Sequence, residues 1–226
     1  MTDLNFEVCD AQPLSFAVSP QLIFKLRVSA ANESEKIQNI ALRCQIQIEA
    51  TRRRYSVAEQ AHLTDLFGEP SRWSQTLKTM LWTHSSVTVL PFTGSTTIDL
   101  PVECTFDFNV AATKYFAGLE DGEIPLLLQF SGTLFYADEN GGLQIAQIPW
   151  SAETKYRLPV QVWQAMMEHY YPNSAWLRLR RDVFDRLHQY KIRHAIPTFE
   201  QVLEKLLPVT EETEDEFSGL DEQITQ

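Results

Sequence analysis

The chain is short of cysteine and glycine, and the shortage excludes several kinds of chemistry. Its 226 residues hold three Cys and eight Gly. Cys9, Cys44 and Cys104 are too few and too scattered for a disulfide framework. No CxxC pair occurs, which argues against a structural zinc site built from cysteines. Neither a P-loop nor a GxGxxG string is present, so no glycine-rich loop is available to cradle phosphates. There is no GxSxG elbow for a nucleophilic serine. The five histidines (His62, His84, His169, His188, His194) never take the HExxH spacing of a metalloprotease helix. Both Cys44 and Cys104 fall in phase with inward strand positions, where cysteine serves as a small buried hydrophobe. No metal and no cofactor is expected. Runs of 18 apolar residues are also missing, so no helix reads as membrane-spanning. The opening MTDLNFEVCD has no apolar core and does not read as a signal peptide. Reduced cysteines without an export signal lead us to expect a cytoplasmic protein.

What is present is ordinary globular material: 44% hydrophobic residues, 22% charged, with thirteen Phe and five Trp. The formal charge of −11 is unevenly spread. Residues 209–226 carry seven acids and no Lys or Arg, so the body is only mildly acidic. An acidic body disfavours nucleic-acid binding, which draws its affinity from neutralising phosphates. The length suits one domain over 1–208, with a sandwich over about 1–160 and a helical extension over about 161–208. The stretch 209–226 has little to bury and is expected to be a disordered acidic tail.

Period-two alternation dominates the first 160 residues. It runs through Leu14, Phe16 and Val18 to Pro20, then through Leu22, Phe24, Leu26 and Val28. It returns at Ile40, Leu42, Cys44, Ile46 and Ile48, and again from Ile98 through Phe106 and Phe108. Leu126 to Leu134 repeats it, ADENGG at 137–142 reads as a turn, 143–150 as the return strand, and Tyr156, Leu158 and Val160 as another strand. Each strand has one apolar face and no intervening helix of crossover length. This pattern predicts an antiparallel β-sandwich with an inserted helical segment around 56–84 and a C-terminal helical extension.

Helix signals are local. Ser56 and Glu59 form a capping box ahead of Val57, Leu63, Leu66 and Phe67, with Gly68 as the stop. Residues 159–171 place Val162, Trp163, Met166, Met167 and Tyr170 on one face, a stripe read as core in preference to a partner-binding surface. Ser174 is a candidate cap for a helix carrying Trp176, Leu179, Val183, Leu187 and Tyr190. Thr198 and Gln201 suggest a second capping box, before Phe199, Val202, Leu203 and Leu206.

Two basic clusters are the candidate sites. The strand CQIQI runs into Arg52, Arg53 and Arg54. If strand phase persisted, Arg52 and Arg54 would share the inner face of Ile46 and Ile48, about 7 Å apart, with Arg53 opposite. Such guanidiniums need carboxylate, phosphate or carbonyl partners. We read them first as a clasp to the protein's own acids at a strand-to-helix corner, and alternatively as contacts to an external anion or acidic partner. The second cluster holds Arg178, Arg180 and Arg181, continuing to Arg186, Lys191 and Arg193. It reads as a solvated face laced with Asp182 and Asp185, or as a docking surface for a partner or for the acidic tail. The acids of EDGEIP and the hydroxyls of FTGSTT read as turn residues.

Five strings taken together carry a family resemblance: LRCQIQIEATRRRYS, LTDLFGEPSRW, CTFDFNVAATKYF, DGEIPLLLQFSGTLFY, and IPW followed by AWLRLRRDVFDRLHQYK. Residues 14–207 resemble an uncharacterised bacterial family catalogued as a domain of unknown function. Genes of that family often neighbour those of nickel–iron hydrogenases and their accessory proteins. The resemblance therefore implies a stand-alone, hydrogenase-associated helper. It does not imply a hydrogenase, because the chain lacks the paired CxxC motifs for a nickel–iron centre and the cysteines for an iron–sulfur cluster.

The expectation is a non-catalytic accessory protein that binds another protein, with no nucleic acid and no membrane insertion. The alternatives are an enzyme of unrecognised type and a small-ligand carrier with a site between the sandwich and the helices.

Overall fold

The computed structural model describes residues 3–105, 109–138 and 141–207. The expected strand positions Phe106 and Phe108 and the expected acidic tail lie outside the described residues, as does the tip of the 137–142 turn. The chain divides into two units, Met1–Ser174 and Ala175–Gln226.

Strict alternation in the sequence becomes the centre of the first unit. Its strands are β1 (Leu4–Pro13), β2 (Gln21–Ala30), β3 (Lys36–Ile48), β4 (Met80–Val89), β5 (Phe92–Thr93), β6 (Ser95–Glu103), β7 (Glu123–Ala137), β8 (Leu143–Gln147) and β9 (Glu153–Pro159). One sheet has the order β1-β2-β6 and the other β4-β3-β7-β8, with β5 also on β3 and β9 also on β7. Every pairing is antiparallel. The two sheets face each other as a sandwich, as the alternation predicts. Register on the β3–β7 pair sets Cys44 against Phe130, Ile46 against Leu128 and Ile48 against Leu126, all buried.

Aromatic rings fill the space between the sheets. Phe6 of β1 stacks on Phe130 of β7 with ring centroids 4.2 Å apart, and Phe24 of β2 meets Trp82 of β4 and Tyr156 of β9 edge-on. Each such buried ring contributes about 1.5–3 kcal/mol by leaving water. β7 serves β9 along its first half and β8 along its second. Where it switches partner, Phe130 donates its N–H to Ala152, and Ile148 donates to Gly132. Gly132 has φ 143°, and a Cβ there would sit 2.1 Å from the Ala41 carbonyl oxygen, so only glycine fits.

Three sequence expectations are corrected. Residues 14–18 form no strand: Phe16 and Val18 are exposed, Phe16 has φ 68°, and the segment is the reversal between β1 and β2. The strand lies earlier, at β1. It escaped notice because a register shift between Val8 and Asp10 breaks its alternation. The helical insert is shorter than 56–84, since β4 begins at Met80. A second register shift there, together with Ser85 and Ser86, hides the strand period.

Helices close one end of this unit. α1 (Val57–Phe67) buries Leu63 and Phe67, whereas Val57, expected inside, is exposed on its first turn. α2 (Trp73–Thr76) is a single turn whose Trp73 rings with Phe67 and Tyr55. α3 (Val110–Ala117) is capped by Asn109, whose amide also donates to the Leu81 and Trp82 carbonyls of β4. α4 (Val160–Tyr170) buries Val160, Trp163 and Met166, so the Trp-Met-Met stripe is core. Tyr170 Oη is tied to the 14–17 reversal through Leu14 and Ala17.

The second unit contains α5 (Arg181–Arg193) and α6 (Phe199–Leu206). Ser174 caps nothing, because α5 starts seven residues later on an Arg180 that makes no side-chain cap. The string WLRLRR has period two, which favours extended chain over helix there. Thr198 accepts the Gln201 N–H, the forward half of the expected capping box.

Cys44 and Cys104 are buried, and burial pushes each thiol up to about 12, whereas Cys9 is exposed. A thiol reagent at neutral pH should label one cysteine of the native protein quickly and the other two only on unfolding. Mass spectrometry of the labelled peptides checks this.

Candidate functional site

The first basic cluster sits where β3 leaves its sheet. The strand stops at Ile48, and a turn of 3-10 helix over Ala50–Arg52 follows. That turn rotates the arginines out of strand phase and inverts the expected facing. Arg52 points outward and pairs through Nε with Glu49 at 2.8 Å, with more than half of its side chain exposed. Arg54 is exposed. Arg53, expected to point away, is the one that turns inward, with its side chain only 8% exposed.

Both terminal nitrogens of the Arg53 guanidinium are bonded to internal acceptors. Nη1 donates to the Glu123 carbonyl at 2.7 Å, and Nη2 donates to the Asp121 carbonyl and to Glu59 Oε1. Gly122, between those two carbonyls, has φ 81°, and a Cβ there would come within 3.2 Å of Nη1. Glu59 is itself fully engaged. It accepts the Ser56 N–H at 2.9 Å as the return half of the capping box, and the Glu120 N–H at 3.1 Å. Burial opposes its charge, but those two N–H groups and the Arg53 guanidinium outweigh it and hold the carboxyl below its ordinary range.

Two tyrosines complete the corner. Tyr55 Oη donates to the Ala50 carbonyl at 2.7 Å and lies 2.9 Å from Tyr115 Oη, which is fully buried on α3. The Arg53 guanidinium stands 5.8 Å from the centre of the Tyr55 ring. Burial drives both phenols above their ordinary range, so both are neutral at physiological pH. On the other side, Gln164 of α4 donates to the Leu119 carbonyl, and the Val160 N–H bonds Gly122. The corner thus joins β3, α1, the loop into β7, and α4. Its polar groups are spent on one another, so it acts as a clasp. An external anion could engage Arg53 only by breaking a buried pair, which costs several kcal/mol.

The second cluster is open to solvent. Arg178, Arg180 and Arg181 are all exposed. Arg180 pairs with Asp182 at 3.0 Å and Arg181 with Asp185 at 3.9 Å, the lacing expected from spacing, and exposed pairs of this kind contribute about 0–1 kcal/mol. Around them Leu177, Phe184 and Ile192 are exposed, as are Leu206 and Leu207 at the end of α6. Phe184 packs on Phe199 at 5.5 Å, and Lys191 lies over the Phe199 ring.

A third surface carries no sequence motif. On the outer face of the larger sheet, His84, Gln45, Gln129 and Gln47 form a row of side-chain hydrogen bonds. Beside it lies a shallow, open groove of about 230 Å³ that contains Arg43, Ser86 and Thr88. Among the described residues, no group of three His, Cys, Asp or Glu converges as a metal site would require. No helix among them is long and apolar enough to cross a membrane.

Arg53→Ala should lower the unfolding free energy by about 3–5 kcal/mol, because it leaves Glu59 buried and unpaired. Arg52→Ala and Arg54→Ala should each stay within about 1 kcal/mol of the parent. Urea denaturation of the three variants separates these outcomes.

A model described as "Family of unknown function (DUF6084)" matches residues 1–215, and the chain belongs to that family. No curated protein matches it. Among solved structures it is similar to a candidate ApaA protein from Bordetella pertussis, at 13% identity and a TM-score of 0.24, over 70% of this chain and 95% of that one.

Proposed function

We propose that this member of the family is a non-catalytic interaction protein, in which the sandwich is the scaffold and the C-terminal helices bind another protein. The observation that carries the reading is the exposure of the described residues 175–207. Among them α5 buries no side chain and α6 buries Val202 alone. Leu177, Ile192 and Leu207 are each about two-thirds exposed, in a unit that also exposes Trp176, Arg178, Arg180 and Arg181. Exposed Trp and Arg are residue types enriched at protein interfaces. In this reading Arg178, Arg180 and Arg181 contact the partner, while Arg53 stays within the scaffold.

The finer assignment concerns the partner. We put forward a nickel–iron hydrogenase or one of its accessory proteins, in the cytoplasm, on the strength of the family resemblance alone. A ligand carried between the sheets is a weaker reading, because Phe6, Phe24, Trp82, Phe130 and Tyr156 already fill that space.

Affinity purification from the native cell should compare the parent chain with a Leu177→Ser/Ile192→Ser variant. The parent should retain a partner, and the variant should lose at least nine-tenths of it while keeping the parent's unfolding midpoint. Equal retention by both chains contradicts the surface, and a retained set without hydrogenase-related proteins contradicts the finer assignment.

A further inference from the structure

We infer that the acidic segment 209–226 docks on the basic surface of α5 and occupies it until a partner with similar acidic character displaces it. The docking stands on charge and reach, and only the displacement rests on the function proposed above.

The charge balance of the C-terminal unit is opposite to that of the whole chain. Residues 175–207 carry seven Lys or Arg against four Asp or Glu, in a protein whose formal charge is −11. Arg178 and Arg193 are exposed and pair with no described carboxylate. Among the described residues Arg186 reaches only the Asp182 carbonyl, at 3.4 Å. Arg180 and Arg181 are held by exposed ion pairs, which exchange readily for a better partner. The unit therefore presents cationic groups that its own described residues leave largely unneutralised.

The segment that follows α6 has the complementary chemistry. Glu211, Glu212, Glu214, Asp215, Glu216, Asp221 and Glu222 lie within eighteen residues, with no Lys or Arg among them. Phe217 and Leu220 are interspersed with the acids and match the exposed Phe184 and Ile192 on α5. Reach is sufficient. α5 has thirteen residues and spans about 20 Å, while eighteen residues of extended chain reach up to about 60 Å. The tether is short, because α6 packs on α5 through Phe199 and Phe184. A short tether raises the effective concentration to about the millimolar range, so even a weak contact is populated within one molecule.

The test uses the full chain and a synthetic peptide of residues 209–226 as the probe. A second full-length chain has Glu211, Glu212, Glu214, Glu216 and Glu222 changed to Gln, and Asp215 and Asp221 changed to Asn. By fluorescence anisotropy at 50 mM NaCl, the labelled peptide should bind this neutralised chain about tenfold or more tightly than it binds the parent, whose own segment competes. Raising the salt to 300 mM should weaken the binding about tenfold, as screening requires. Adding Arg178→Glu, Arg186→Glu and Arg193→Glu to the neutralised chain should abolish binding while leaving its circular dichroism unchanged. Equal affinity for both chains, or no binding at 50 mM, overturns the inference. Concentration-dependent self-association of the parent that vanishes on neutralisation overturns the intramolecular form and moves the contact between copies. None of these outcomes depends on whether a partner is captured, so the inference and the proposed function fail separately.

Discussion

The buried pairing of Arg53 with Glu59 is the constraint from which the rest of the scaffold follows. β3 lies at the centre of its sheet and must end without leaving its backbone groups stranded. Just past its end the Glu49 N–H bonds the Pro125 carbonyl of β7, and Arg53 turns under the corner, where the guanidinium takes the carbonyls of Asp121, in the loop before β7, and of Glu123, its first residue. β7 is the other central strand of that sheet. One side chain therefore fixes the ends of two neighbouring strands. Glu59, the partner, is also the return half of the cap that starts α1, so the same carboxylate sets where the helix begins. A buried charge pair stabilises only when nearly all of its hydrogen-bonding capacity is met. Among the described residues Arg53 Nε is the buried side-chain atom left without a partner, and every other nitrogen of the guanidinium is bonded.

This constraint separates the molecule into parts with different roles. Arginine is dear to bury, and at the corner that cost is met by interior acceptors for both terminal nitrogens of Arg53. In the C-terminal unit the arginines stay in water, next to apolar side chains that two short helices are too small to cover. The same residue type is buried and paired in one place and exposed in the other. Burial makes the difference, and charge alone does not reveal it.

The strands β2, β3 and β7 were legible because each is paired on both sides and buries one full face, which enforces strict alternation. β1 and β4 were not, because a register shift in each pairing moves the apolar residues out of phase. The box at Ser56 and Glu59 was legible because it is entirely local. The facing of Arg52–Arg54 was misread because the turn at Ala50–Arg52 replaces a two-residue period with a three-residue one. Nor could sequence supply the acceptors of Arg53, since two are backbone carbonyls about seventy residues away, and every residue type carries a carbonyl. The start of α5 was misplaced because Trp176 and Leu179 fit a helical stripe, while the neighbouring LRLR fits extended chain equally well.

The central claim is that Glu59 is charged and clamped in the folded protein, and its linkage to pH tests that most directly. Its folded pKa lies below the ordinary 4.5, so its contribution to stability is fully present above that pH and is lost as pH falls through the folded value. The measurement is the unfolding free energy of the parent and of Glu59→Gln between pH 7 and pH 3. The parent should be more stable by a constant margin above pH 4.5, with the gap closing below it. Two curves that stay parallel down to pH 3 would contradict it.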